Sequence, residues 1–193
     1  MKIGLLGGSF NPAHDGHLHI SELALKRLRL DQVWWLVSPQ NPIKSTDGMA
    51  PFETRFGRAR DFVRHPRIKV TGIENKLGTR YTCDTLQALK RRNPGTRFVW
   101  LMGADNLLQI PRWQGWSSIF HSVGVAVFPR PTYSLRALAG QAAVRFAGAR
   151  LPESRAGRLA ETDPPAWVFL HVAENPQSAT AIRSETAQRE KEE

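Results

Sequence analysis

Two histidines three positions apart are the residues whose types and spacing most directly suggest chemistry. His14 and His17 close the run Gly7-Gly8-Ser9-Phe10-Asn11-Pro12-Ala13-His14-Asp15-Gly16-His17. Paired glycines let backbone N–H groups approach a phosphate closely, and a helix opening just after them turns its positive end toward the same anion. Two imidazoles beside helix-end amides suit a phosphoryl centre that gains charge during reaction. The run has neither the dinucleotide fingerprint nor the P-loop spacing. A metal site is a second reading, although a zinc protease sets its histidines four apart with a glutamate between. Plain helix capping is a third.

Other candidates follow along the chain. Asn41 and Lys44 lie in the proline-rich stretch Pro39-Gln40-Asn41-Pro42-Ile43-Lys44, which also reads as an ordinary stiffened turn. Thr82 and Thr85 open an apolar-periodic segment, where a threonine can equally be a helix cap. Gly103-Ala104-Asp105-Asn106 follows the most apolar strand pattern; Gly103 allows close approach of a nucleotide, and the Asp105 carboxylate can accept hydrogen bonds from ribose hydroxyls. Trp113 and Gln114 come next, the tryptophan being a ring platform or simply core. Arg130 heads Arg130-Pro131-Thr132-Tyr133 and can contact a phosphate.

These positions need a frame. Short apolar runs predict strands at Ile3 to Leu6, Gln32 to Val37, Ile68 to Ile73, Phe98 to Met102, Val123 to Phe128 and Trp167 to Val172. Helical spacing predicts helices from His17 to Leu28, from Pro51 to about Val63 with Phe52, Phe56, Ala59 and Val63 on one face, and from Thr82 to Arg91. Strands alternating with helices at this interval imply βαβ units and a mainly parallel sheet. Ligands then bind beyond the carboxyl ends of the strands. Among the candidates above, His14, His17, Asn41, Lys44, Gly103, Asp105 and Arg130 follow predicted strands, and Thr82 opens a predicted helix.

Composition bounds the class. With 193 residues, 41% hydrophobic and 23% charged, the chain suits one α/β domain over residues 1–184, with a polar tail at 185–193. No apolar run approaches a membrane span, and the start is too briefly apolar for a signal peptide, so the expectation is a cytoplasmic protein without a membrane partner. The single cysteine, Cys83, excludes an internal disulfide and a four-cysteine zinc site. A net charge of +10 is spread along the chain. It reads as a solvated surface, with polyphosphate attraction or a nucleic-acid-binding protein on an α/β scaffold as alternatives.

The glycine-histidine run resembles the signature of the HxGH nucleotidyltransferase superfamily, and specifically bacterial nicotinate-nucleotide adenylyltransferases. Ser178-Ala179-Thr180-Ala181-Ile182-Arg183 is similar to that superfamily's second signature. The resemblance covers nearly the whole chain and implies a Rossmann-like, doubly wound α/β fold with helices on both faces. The activity it implies is transfer of AMP from ATP to nicotinic acid mononucleotide, with no nucleic-acid partner; the alternative acceptors are nicotinamide mononucleotide and phosphopantetheine. By resemblance, His14, His17 and Arg183 are catalytic. ATP is bound by Gly8, Ser9, Phe10, His14, His17, Gly103, Asp105, Ser178, Thr180 and Arg183. The mononucleotide is bound by Asn41, Lys44, Thr82, Thr85, Asp105, Trp113, Gln114 and Arg130. Mg²⁺ is expected mainly on the ATP phosphates, with no metal held by the protein itself. A homo-oligomer is compatible with the resemblance. Three departures stand out: Ala179 replaces a hydroxyl residue, Thr132 replaces a glycine, and only ten residues follow Arg183 where relatives continue for a further helix.

Overall fold

The first strand, β1 (Lys2–Gly8), lies third of seven in the sheet, beside the point where the direction of winding reverses. A computed structural model describes residues 1–39, 48–173 and 177. After β1 come α1 (Asp15–Arg27), β2 (Gln32–Val37), α2 (Phe52–Phe62), β3 (Ile68–Thr71), α3 (Ile73–Leu77), α4 (Thr82–Arg92) and β4 (Arg97–Gly103). The second half runs α5 (Ala104–Gln109), α6 (Trp116–Ser122), β5 (Gly124–Phe128), α7 (Ser134–Leu138), α8 (Gln141–Arg145), β6 (Arg150–Leu151) and β7 (Trp167–Phe169), with a 3-10 helix at Glu153–Glu161.

The strands form one seven-stranded sheet in the order β3-β2-β1-β4-β5-β7-β6. Every pairing is parallel, from Ile3 opposite Gln32 on one side of β1 to Lys2 opposite Arg97 on the other. The expected doubly wound α/β fold is present, and "mainly parallel" becomes wholly parallel among the described strands. Alternation of side chains divides the core in two. Ile3, Leu5, Phe98, Trp100, Val125 and Val127 face α4 to α8, while Leu6, Val33, Trp35, Val99, Leu101 and Ala126 face α1, α2 and the 3-10 helix.

Some boundaries differ from expectation. α1 starts at Asp15 rather than His17, because His14 is itself the N-cap and its ring accepts from Gly16 N. The third strand stops at Thr71: Gly72 turns the chain, and Ile73 begins α3. β7 is shorter than the apolar run that announced it. On α2 the fully buried positions are Arg55 and Ala59, with Phe52 and Phe56 only half-buried. Arg55 is 2% exposed. No helix among the described residues is long and apolar enough to cross a membrane.

Candidate active site

The strand order reverses between β1 and β4, so α1 and α4 to α8 leave the sheet on opposite faces and a crevice opens at the carboxyl ends there. The site lies in that crevice and has two halves. The first is the histidine pair. His14 is buried, and its Nδ1 accepts a hydrogen bond from Gly16 N at 3.1 Å. His17 Nδ1 accepts from His14 N at 3.3 Å. An Nδ1 that accepts carries no proton, so each neutral ring holds its proton on Nε2 and can donate it outward. Both rings are held neutral. Burial, then the Arg130 charge, pushes His14 down to about 4 against a smaller opposing pull from Asp15. His17 is lowered well below the usual imidazole range by burial first, then by His14 and Arg130.

His17 is fixed from behind. Phe10 lies 4.7 Å from its ring, centroid to centroid, and stacks on Trp35 at 4.9 Å. Trp35 Nε1 donates to Ser21 Oγ at 2.7 Å, and that hydroxyl donates to the His17 carbonyl at 2.8 Å. Phe10 is 1% exposed, so its side chain supports the histidine rather than lining the cleft; its positive φ of 48° turns the loop sharply here.

Arg55 supplies the other support. Its guanidinium donates to the carbonyls of Ser9, Ser38, Pro39 and Ala50 at 2.6 to 2.9 Å. These hydrogen bonds compensate a buried cation and pin the loop after β1 to the loop after β2. Gly103 opens the facing wall. A Cβ there would strike the Asp105 carboxylate and the Arg130 side chain. Asp105 Oδ1 and Arg130 Nε stand 3.9 Å apart, and both atoms are buried without a hydrogen-bond partner among the described residues. Arg130 also donates to the Gln177 carbonyl at 3.2 Å. It therefore stands beside the histidines, and the adjoining cleft is lined without it.

The second half is that cleft, of about 320 Å³. Gly7, Gly8, Ser9 and Ser38 form its strand side, and Thr82, Trp113 and Gln114 are among the residues that line the rest. Trp113 meets Trp100 edge to face at 6.5 Å. The N-terminus of α4 opens on the cleft at Thr82, and Tyr81 provides no side-chain cap there, so its first N–H groups can serve an anion. Thr85 is brought near but not in. It is fully buried, with its hydroxyl bonded to the Tyr81 carbonyl and the Thr79 hydroxyl. Asn41, Lys44, Ser178, Thr180 and Arg183 lie outside the described residues.

Sequence reasoning missed Glu74, Arg80, Trp100 and Arg112, all on the cleft wall, and Arg55 beneath it. Glu74 is buried, and burial pushes its carboxyl up to about 7 against hydrogen bonds with Thr85 and Ser38 that favour the charged form. A lone glutamate after an isoleucine, in a helix as short as α3, gives no sequence signal for this. The two arginines are ordinary surface residues until the fold turns them to one opening.

Comparison with known proteins agrees with this geometry. Residues 5–185 match the cytidylyltransferase-like family. A Parvibaculum lavamentivorans protein named "Probable nicotinate-nucleotide adenylyltransferase" is 54% identical over 183 residues, covering 95% of this chain and 91% of its own. A protein of the same name from Methylorubrum extorquens is 52% identical over 184 residues, covering 95% of this chain and all of its own. Among solved structures, the nicotinic acid mononucleotide adenylyltransferase of Plasmodium falciparum complexed with NaAD superposes with a TM-score of 0.69 at 16% identity, over 95% of this chain and 82% of that one. That likeness concerns the fold; the bacterial matches extend to sequence over almost the full length. The chain belongs to the nicotinate-nucleotide adenylyltransferase family of cytidylyltransferase-like proteins.

Proposed function

We propose that this chain transfers AMP from ATP to nicotinic acid mononucleotide. A phosphate oxygen of the mononucleotide attacks the α-phosphorus of ATP, the bond from that phosphorus to the β-bridging oxygen breaks, and the products are nicotinic acid adenine dinucleotide and pyrophosphate. The observation that carries this reading is the tautomer of the histidine pair. With both Nδ1 atoms engaged by backbone N–H groups, two Nε2–H donors stand at the N-terminus of α1, next to a cleft sized for a mononucleotide.

The attacking phosphate is already an anion, so the reaction needs no strong base. Catalysis is positioning and charge stabilisation. His14 and His17 donate to the ATP phosphates. Gly8 and Ser9 let those phosphates approach the backbone, Gly103 opens space for the nucleoside, and Asp105 takes a ribose hydroxyl. Arg130 reads best as a phosphate ligand beside the histidines. Arg183, with Ser178 and Thr180, closes the triphosphate from the other side. Asn41 and Lys44 hold the mononucleotide in the loop after β2. Thr82 and Gln114 offer N–H groups to the nicotinate carboxylate, Trp113 lies along the ring, and Thr85 acts by bracing the turn that carries Thr82.

Among the described residues no group of three or more histidine, cysteine or carboxylate side chains could hold a metal ion. Mg²⁺ is expected to be carried mainly on the ATP phosphates. When bound there, the ion supplies neutralisation of phosphate charge.

The test is formation of dinucleotide and pyrophosphate from ATP with three acceptors: nicotinic acid mononucleotide, nicotinamide mononucleotide and phosphopantetheine. The acid mononucleotide is expected to be used with an efficiency at least ~10² above the amide, since an amide brings an N–H donor toward N–H donors. Equal efficiency on acid and amide removes the acid-selective pocket. Turnover of phosphopantetheine alone removes the assignment.

A further inference from the structure

We propose that Glu74 is a positioning and selectivity residue of the acceptor cleft: it locks the wall formed by residues 80–82 to the end of β2 and keeps that wall free of negative charge where an anionic acceptor binds. The proposal rests on the adenylyl-transfer reading above and adds to it a residue which that chemistry does not itself require.

Three observations converge. Glu74 sits on α3 and lines the cleft together with Ser38 from β2 and Arg80, Tyr81 and Thr82 from the start of α4. Its carboxyl lies beside the hydroxyls of Thr85 and Ser38, which come from two segments remote in sequence. Thr85 in turn bonds the Thr79 hydroxyl at 2.8 Å and the Tyr81 carbonyl at 3.2 Å, while Thr79 N donates to the Glu74 carbonyl at 3.1 Å. The turn carrying Thr82 into the cleft is therefore held by one network centred on the Thr85 hydroxyl, with the Glu74 carboxyl against it.

The charge of that carboxyl matters because of its neighbours. The charged side chains on the same cleft wall are Arg80 and Arg112; Lys76 on α3 and Asp84 on α4 are exposed to solvent. Two cations around an opening attract an acceptor that carries both a phosphate and a carboxylate, and a buried anion behind them would oppose it. Burial raises the Glu74 carboxyl to about 7. The acid form keeps an O–H donor and a carbonyl acceptor, enough to serve both Ser38 and Thr85 without adding charge. As pH climbs past 7 the proton leaves, and the wall turns negative.

The experiment measures binding of nicotinic acid mononucleotide by calorimetry, and steady-state KM and kcat, at pH 6 and pH 8 for the wild type, Glu74→Gln and Glu74→Ala. The mononucleotide phosphate titrates in the same range, so Glu74→Gln, which keeps the shape and stays neutral, is the reference. Relative to Glu74→Gln, the wild type is expected to lose about tenfold in acceptor affinity between pH 6 and pH 8, the limit for a group of pKa near 7 whose proton is required for binding. KM for the acceptor carries the change, and KM for ATP does not. Glu74→Ala, which removes the carboxyl from the network, is expected to raise acceptor KM at both pH values. Parallel pH profiles for wild type and Glu74→Gln with turnover intact overturn the charge role, and an acceptor KM unmoved in Glu74→Ala overturns the positioning role. Absence of dinucleotide synthesis by the wild type at both pH values overturns the adenylyl-transfer reading instead, a distinct result.

Discussion

In the proposed reaction His14 and His17 would act through one nitrogen each, and which nitrogen is decided by the backbone N–H groups of His14 and Gly16. His17→Ala is expected to lower kcat about a hundredfold, or roughly 3 kcal/mol, with ATP binding much less affected, because the donor counts most where charge develops. Single-turnover rates with saturating ATP check this; an unchanged rate in a folded variant removes the role. Trp113→Ala is expected to raise KM for the mononucleotide severalfold and leave that for ATP near its wild-type value, since Trp113 lines the cleft proposed for the acceptor. The histidines stand out in the sequence as a pair at a helix mouth, whereas Trp113 is singled out through the family resemblance, its residue type alone fitting core as well. Neither Glu74 nor Arg55 was legible there. A buried carboxyl or guanidinium is recognised by what surrounds it, and its partners here come from segments distant in sequence.

At the level of elements, α2 is the part whose role differs most from its pattern. Phe52, Phe56, Ala59 and Val63 mark an apolar face, yet the residue that enters the interior is Arg55, because four carbonyls at the ends of two loops require a donor there. Arg55→Met is expected to destabilise the fold by about 3–5 kcal/mol, the range for stripping a buried charge network of one partner. Both KM values should rise with it, as Ser9 and Ser38 lose a shared anchor. Chemical denaturation measures the first and steady-state kinetics the second. The long periodic helices α1, α2 and α4 were foreseeable to within a few residues. The five- to seven-residue helices α3, α5, α6, α7 and α8 were not, since so few turns show no period and form only against the sheet.

For the whole molecule, the buried histidines and the buried Glu74 carboxyl bend the stability curve in opposite directions. Folding lowers His14 from 6.5 to about 4, so the unfolded chain binds more protons in that window and stability falls as pH drops through it. Folding raises Glu74 from 4.5 to about 7, so the native state binds more protons and stability falls as pH rises, by up to about 3 kcal/mol. The contributions oppose each other between pH 4.5 and 6.5, and only that of Glu74 continues to 7. Thermal melting from pH 4 to 8 should find Glu74→Gln more stable than the wild type at pH 8, with the gap closing toward pH 4. A gap independent of pH would assign the gain to packing. Neither trend could be read from net charge, which counts these groups at their ordinary values.

The place of β1 in the sheet also orders how the enzyme is built as it leaves the ribosome. β2 emerges soon after β1 and pairs with it, but β4 arrives only with residues 97–103. Until then β1 has an open edge, and Trp100, whose indole fills the space beside Gly7, has not been made. The histidine turn and its Trp35 backing come first, the Trp113 wall second, and the Arg130 bond to the Gln177 carbonyl last. A nascent chain is thus a nucleotide site in instalments, and a chain arrested before β4 exposes an unpaired strand carrying the glycine loop. Proteases and holdase chaperones would meet that edge, while substrate would find no cleft to occupy.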